Sequence, residues 1–245
     1  MTETIELVAP AKLTLSLRVT GVRDDGYHLI DAEMVTLDLC DRLAIDPAGD
    51  GLRLVGGGPD VPADADNLVM KALALTGRTA EITLHKEIPS QAGLGGGSAD
   101  AGAVLRWAGF RDLEAASRLG ADVPFCIDGG RARVRGIGEV LDPMPHVDRT
   151  LTLLVPPLSC PTPAVFRAWD DLGGPVNDES PNDLEAAALA VVPELAQWRD
   201  EFAASTGQRP TMAGSGATWF VDGEHPGPRR LVVRSTPVGW RPHLA

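Results

Sequence analysis

The residues most able to do chemistry form a run from Pro89 to Ser98: Pro89-Ser90-Gln91-Ala92-Gly93-Leu94-Gly95-Gly96-Gly97-Ser98. Glycine fills four of the five positions 93–97. With no Cβ in the way, several backbone N–H groups stand open there. A helix beginning near Ser98 would aim the positive end of its dipole at the same spot. Such a cradle binds anions, above all phosphates. It lacks the last Gly or Ala of the dinucleotide fingerprint, where Ser98 stands, and it lacks the lysine that follows in a Walker loop. A tight strand-to-helix turn would use the same glycines. The phosphate reading rests on the flanking strand and helix and on the Ser98 hydroxyl.

Few other residues qualify. Of the 22 basic residues only Lys12, Lys71 and Lys86 are lysines, so a lysine kept among arginines suggests a need for a compact point charge. Lys12, just ahead of a strand, could reach a hydroxyl, a phosphate or a carboxylate, although an exposed surface lysine reads the same way. Asp122, followed by Val123-Pro124, is by itself a turn or helix cap. Tyr27-His28 reads as a surface pair or as an aromatic and an imidazole gripping a planar base. Gly214-Ser215-Gly216 is, alone, a β-turn. Asp24-Asp25 and Asp170-Asp171 read as solvated turn charges and receive no role.

The elements that must position these groups follow from periodicity. Alternation from Leu13 onward predicts a half-buried strand, and Pro10 keeps its neighbours extended. A turn at Arg23–Gly26 precedes strands predicted over Glu33–Leu39 and Arg42–Ile45. A helix is expected over Asn67–Leu75 with a cap in Asp64–Asp66, then a strand over Ala80–Lys86 running into the glycine loop. Ser98 to Trp107 predicts the helix after the loop, with Ser98 and Asp100 in its first turn and Gly109 at its end. Leu113–Leu119 reads as a short helix, Arg131–Arg135 as a strand and Gly136-Ile137-Gly138 as a turn. Asp142-Pro143-Met144-Pro145 marks a domain boundary near Val147, giving an N-terminal domain of 1–147 and a C-terminal domain of 148–245. In the latter, Leu151–Val155 and Ala217–Val221 predict strands, and Thr162–Trp169 and Asn182–Phe202 predict helices.

Composition narrows the partners. The chain has 245 residues, 44% of them hydrophobic, enough for a full core. A net charge of −12 disfavours nucleic acid and anionic membranes, while a small phosphorylated ligand is compatible with a few local donors. Three cysteines without metal-ligand spacing suit a reducing compartment. The start, Met1 to Glu6, lacks the basic region of a signal peptide and no apolar run reaches membrane-spanning length, so a cytoplasmic protein is expected.

Taken in order, Pro10-Ala11-Lys12, the glycine loop, Leu119-Gly120-Ala121-Asp122-Val123-Pro124-Phe125 and Ala213-Gly214-Ser215-Gly216-Ala217 make the chain resemble the GHMP kinase superfamily. Asp25-Gly26-Tyr27-His28, Pro161-Thr162-Pro163-Ala164-Val165-Phe166 and Pro181-Asn182-Asp183-Leu184 extend the resemblance over nearly the whole length. They point to the branch whose acceptor is a cytidine-diphospho-methylerythritol. The resemblance implies an α+β, two-domain fold: a domain like ribosomal protein S5 domain 2, then a ferredoxin-like domain, with the site between them. It implies ATP-dependent phosphorylation of the acceptor's 2-hydroxyl in the non-mevalonate isoprenoid pathway, with Mg²⁺ accompanying the nucleotide. Residue by residue, Asp122 matches the catalytic base and Lys12 its partner. Pro89 to Ala99 match the ATP-binding loop, Tyr27 and His28 the grip on cytosine, and Thr14, Gly214 and Ser215 substrate contacts. No protein metal ligand is assigned, although the Ser98 hydroxyl is available. A monomer or homodimer is expected.

Four positions depart from the superfamily pattern. Thr14 replaces an asparagine, offering one donor where an amide offers two. Ser90-Gln91-Ala92 places Cβ atoms at the loop's entry. The stretch Trp107–Arg111 is short, and so is the tail after Val221, which leaves the second domain short of a helix. A non-catalytic nucleotide sensor, or a kinase for another sugar alcohol or a mevalonate-like acceptor, would share much of this sequence. Retention of both Lys12 and Asp122 favours catalysis, and Tyr27-His28 favours cytidine.

Overall fold

The structure, a computed structural model, describes residues 4–57, 61–175 and 179–242; residues 1–3 of the amino-terminal stretch lie outside it. The long alternating opening forms strand β1 (Ile5–Val22), which turns through Arg23–Gly26 into β2 (His28–Asp46). The two pair antiparallel from Ile5↔Ile45 to Val22↔His28, with a register shift between Pro10 and Lys12. Pro10 cannot donate to the ladder, which suits a bulge at that point. The two strands expected over 33–39 and 42–45 are one. Asp41, which lies between them, is fully buried and stays in register because its carboxylate is partnered by Lys86 and by the backbone of Glu87 and Ile88.

Strands β4 (Glu81–Lys86) and β5 (Arg131–Gly136) pair with opposite ends of β2. Before residue 147 two strands escaped the sequence reading. β3 (Gly51–Gly56) lies parallel to β4, and β6 (Val140–Pro143) pairs with β5 where proline punctuation suggested only a linker. Pro143 is tolerated because this is an edge. Against the sheet pack α2 (Gly96–Ala108) and α4 (Val123–Asp128), with α1 (Leu68–Thr76) packed on α2 and α3 (Leu113–Ser117) on α4. Helix α2 is buried along most of its length, with Ala99, Ala101, Ala103, Val104 and Leu105 in the core. A Cβ at Gly102 would lie 2.6 Å from the Cys126 carbonyl, so glycine is what lets α2 and α4 approach. Asn67 itself caps α1, its Oδ1 accepting from Val69 N at 2.9 Å, and the Asp64–Asp66 cap expectation is corrected accordingly.

Beyond residue 147 follow β7 (Thr150–Leu154), α5 (Thr162–Asp171), α6 (Glu185–Val191), α7 (Leu195–Thr206), β8 (Thr211–Met212), β9 (Trp219–Asp222) and β10 (Arg230–Thr236). The single helix expected over 182–202 is two, because Pro193 removes a donor and forces Val192 out of helical geometry. The short tail supplies a strand: β10 pairs with β7, then its last residues, Ser235 and Thr236, pair with Leu37 and Thr36 of β2. The two sheets are thereby joined into one α+β body. No helix among the described residues is long and apolar enough to cross a membrane. Cys40, Cys126 and Cys160 are buried free thiols.

Candidate active site

The glycine loop connects β4 to α2, and the helix starts two residues earlier than its sequence suggested. Gly95 is the cap residue at φ +67°, and Gly96 and Gly97 form the first turn. Asp100 therefore lies beyond that turn and is buried, which corrects its expected place at the helix end. The loop's glycines are required by close approaches. A Cβ on Gly93 would come within 2.5 Å of the Gly216 carbonyl oxygen, and one on Gly95 within 2.7 Å of Lys12 Cγ. The unpaired N–H groups at the start of a thirteen-residue helix thus open onto a cavity of about 400 Å³ that Pro89 through Ser98 line. Ala99 is buried behind them. Gln91, one of the departures from the glycine-rich pattern, is held at φ +57°, a left-handed conformation that costs a non-glycine residue on the order of 1 kcal/mol.

At the floor of this cavity Lys12 meets Asp122. Their Nζ and Oδ2 are 3.0 Å apart, with the lysine side chain 5% exposed and the carboxylate 27%. Lys12 is held at both ends: its backbone N–H donates to the Leu94 carbonyl at 3.0 Å, and its ammonium also donates to Thr14 Oγ1 at 3.2 Å. Asp122 stands at the cap position of α4, yet its side chain makes no capping bond. The carboxylate is spared for Lys12 and for the cavity.

A second cavity of about 450 Å³ meets the first at this pair, for Lys12, Asp122, Thr162 and Ser215 line both. The Thr162 and Ser215 hydroxyls are 2.8 Å apart at the junction. Thr14, Tyr27, His28, Gly214 and Ser215 all face the second cavity. So does Phe166, whose ring centroid lies 4.6 Å from that of His28. Asp170 also lines it and binds His28 Nε2, which corrects its reading as a solvated turn charge. Every residue assigned from the sequence except Ala99 therefore lines one of two cavities that share a buried ammonium and a carboxylate. Among the described residues no three His, Cys, Asp or Glu side chains converge as a metal cage.

Two structural supports went unassigned. Asn182, 2% exposed, donates to the carbonyls of Met212 and Gly214 at 2.8 and 2.7 Å and accepts from Leu184 N at 2.9 Å. Its neighbours tie it to β1, because Leu17 N donates to the Pro181 carbonyl and Asp183 N to the Leu17 carbonyl, both at 2.9 Å. The strand that carries Lys12 and Thr14 is thereby fixed to the Gly214-Ser215 loop. Asn182→Ala strands two buried carbonyls, and a loss of about 2–3 kcal/mol is expected in urea unfolding. An unchanged midpoint would show that this clamp contributes nothing to the fold.

The other support is ionic. Lys86 donates to Asp41 Oδ2 and, at 2.7 Å, to Asp100 Oδ2, with all three side chains nearly inaccessible. Asp41 Oδ1 accepts from the backbone of Glu87 and Ile88 at 2.6 and 2.8 Å, so it pins the entry of the glycine loop. Asp100 Oδ1 has no partner. Burial drives the Asp100 carboxyl upward, to about 8; the Lys86 ammonium opposes that rise and the Asp41 carboxylate adds to it. The scarcity of lysines is the one sequence signal for Lys86, and it marks Lys12 equally.

Known proteins resemble this chain over most of its length. Residues 67–130 match the model of the GHMP kinases N terminal domain. The chain is 41% identical to the 4-diphosphocytidyl-2-C-methyl-D-erythritol kinase of Paracoccus denitrificans, over 95% of this chain and 93% of that one. It is 40% identical to the enzyme of that name from Cereibacter sphaeroides, over 96% of each. A crystal structure of 4-(cytidine 5'-diphospho)-2C-methyl-D-erythritol kinase superposes with a TM-score of 0.74 at 33% identity, covering 94% of this chain and 99% of that one. The mevalonate kinase of L. major, at 13% identity and a TM-score of 0.67, shares the fold.

Proposed function

The chain belongs to the 4-diphosphocytidyl-2-C-methyl-D-erythritol kinase family, and on that premise we propose how its two cavities divide the reaction. The protein transfers the γ-phosphoryl group of ATP to the 2-hydroxyl of 4-diphosphocytidyl-2-C-methyl-D-erythritol, in the non-mevalonate isoprenoid pathway. The nucleotide takes the glycine-loop cavity, with its phosphates on the N–H groups of Gly96, Gly97 and Ser98. The acceptor takes the aromatic cavity, its base beside Tyr27, His28 and Phe166. The observation that carries this reading is that both cavities are floored by one Lys12–Asp122 pair, so two ligands reach the same charged atoms from opposite sides.

Phosphoryl transfer proceeds through a loose transition state and needs in-line placement and charge neutralisation more than covalent chemistry. Asp122 accepts the hydroxyl proton as the new P–O bond forms. Lys12 favours the ionised form of that carboxylate and balances negative charge on the transferring oxygen. Thr14, having accepted a hydrogen bond from Lys12, keeps its own proton to donate to the acceptor, a narrower version of what an asparagine would offer. Ser98 lines the nucleotide cavity and offers a hard oxygen donor of the kind Mg²⁺ takes beside phosphates. Mg²⁺ arriving with ATP would supply charge neutralisation there. The reaction is assigned to the cytoplasm and to a monomer or homodimer with neither nucleic acid nor membrane as partner. Its cleft lies between residues 1–147 and 148–245.

Purified protein given Mg-ATP and the cytidine-diphospho acceptor is expected to release ADP in proportion to acceptor consumed. ATP binding without acceptor-dependent ADP release would refute the kinase assignment. A companion check is thermal: ATP or CDP at about 100 times its dissociation constant should stabilise the fold by about 2.7 kcal/mol.

A further inference from the structure

His28 opens β2 at the mouth of the acceptor cavity, and its side chain is 10% exposed. The ring is confined by Phe166, tilted 31° at 4.6 Å, and by the edge of Trp169 at 5.6 Å and 90°. Its Nε2 lies 2.8 Å from Oδ1 of Asp170, 142 residues away on α5. A carboxylate only accepts, so Nε2 carries the hydrogen of this bond. In the neutral ring Nδ1 then presents a lone pair, and among the described residues no hydrogen bond reaches it. Two neighbouring rings set the plane of the imidazole and one carboxylate sets its tautomer.

We propose that Asp170 determines base specificity by holding His28 as its Nε2–H tautomer, so that Nδ1 accepts from the exocyclic amino group of cytosine and repels the carbonyl that uracil carries there. The proposal rests on the reading of the aromatic cavity as the acceptor's nucleotide subsite. Asp170 acts through His28 and touches no reacting atom, so it is a positioning residue. A site built to receive a donor discriminates strongly against an analogue that offers an acceptor, because both groups are then left unpaired in a half-buried place.

The full chain and its Asp170→Ala and Asp170→Asn variants are titrated calorimetrically with CDP, UDP and ATP at pH 8, where an ordinary imidazole is neutral. Wild type is expected to bind CDP roughly 10- to 100-fold more tightly than UDP. Asp170→Ala is expected to bring that ratio close to one by weakening CDP, with ATP binding unchanged. Asp170→Asn, whose amide oxygen can still accept, retains more of the ratio. In turnover, Asp170→Ala raises KM for the cytidine-diphospho acceptor and keeps kcat. Ring ¹⁵N spectra are expected to show His28 as the Nε2–H tautomer in wild type and as a mixture in Asp170→Ala. A CDP-to-UDP ratio untouched by Asp170→Ala, or a wild-type ring protonated at Nδ1, overturns the proposal while leaving the acceptor reading intact. Binding of ATP with no binding of CDP overturns both.

Discussion

Asp122→Asn is expected to lower kcat by about 10³-fold while leaving ATP affinity close to that of the wild type, as measured by acceptor-dependent ADP release and by nucleotide titration. The substitution changes one atom of a group 27% exposed at the junction of the two cavities, and an amide oxygen still accepts from the Lys12 ammonium. Packing and folding are therefore preserved, and the variant should melt near the wild type. What is lost is the site that takes the hydroxyl proton. Among the described residues the other carboxylates lining the two cavities are already engaged, Asp100 with Lys86, Asp66 with Lys71 and Asp170 with His28. The nucleotide contacts lie on the other side of the pair, on backbone N–H groups that the substitution does not touch. A kcat within tenfold of wild type would remove Asp122 as the base. A loss of ATP binding would make it a ligand residue instead.

That Asp122 was legible in the sequence, and Asn182 and Asp170 were not, has a physical reason. The glycine loop declares itself locally, through missing side chains and its strand and helix flanks, whereas Lys12 and Asp122, locally a surface lysine and a helix cap, stand out only through the motif order that makes the chain resemble its superfamily. Asn182 is informative only beside Met212 and Gly214, thirty residues on, and Asp170 only beside His28, 142 residues back. A carboxylate next to Asp171 in a polar run resembles a solvated turn until tertiary packing places it against an imidazole. The same limit explains the fold's misread elements. The gap left between the strands expected over 33–39 and 42–45 holds Asp41, a buried charge whose partners, Lys86 and the backbone of Glu87 and Ile88, come from another strand and the loop after it. Strand β10 has no local signature that the sequence reading could use, and only pairing with both β7 and β2 gives it a place. Pro193, by contrast, is a local signal that breaks the helix and outweighs the apolar periodicity around it.

Lys86→Met is expected to destabilise the fold by about 3–5 kcal/mol, because it leaves the wholly buried Asp41 carboxylate beside the Asp100 carboxyl without its cation. Asp41 is wholly buried and also holds the loop entry through Glu87 and Ile88, so the damage should extend to a higher KM for ATP. Asp100→Asn is the opposite case. It replaces a carboxyl that holds its proton below about pH 8, keeps an oxygen for Lys86, and should fold as well as the wild type. The pH dependence separates the two effects. Burial first, and Asp41 after it, raise the Asp100 carboxyl from 3.8 in the unfolded chain to about 8, with Lys86 opposing. Between those values the folded state holds a proton that the unfolded state releases. This contribution to stability is thus complete below about pH 4 and lost as pH rises through about 8. An asparagine in that place has no proton to lose, so Asp100→Asn should gain on the wild type in urea midpoint as pH rises from about 5 to about 9. Parallel midpoints across that range would mean that Asp100 stays ionised beside Lys86. A Lys86→Met midpoint equal to wild type would mean that the cluster contributes nothing to the fold.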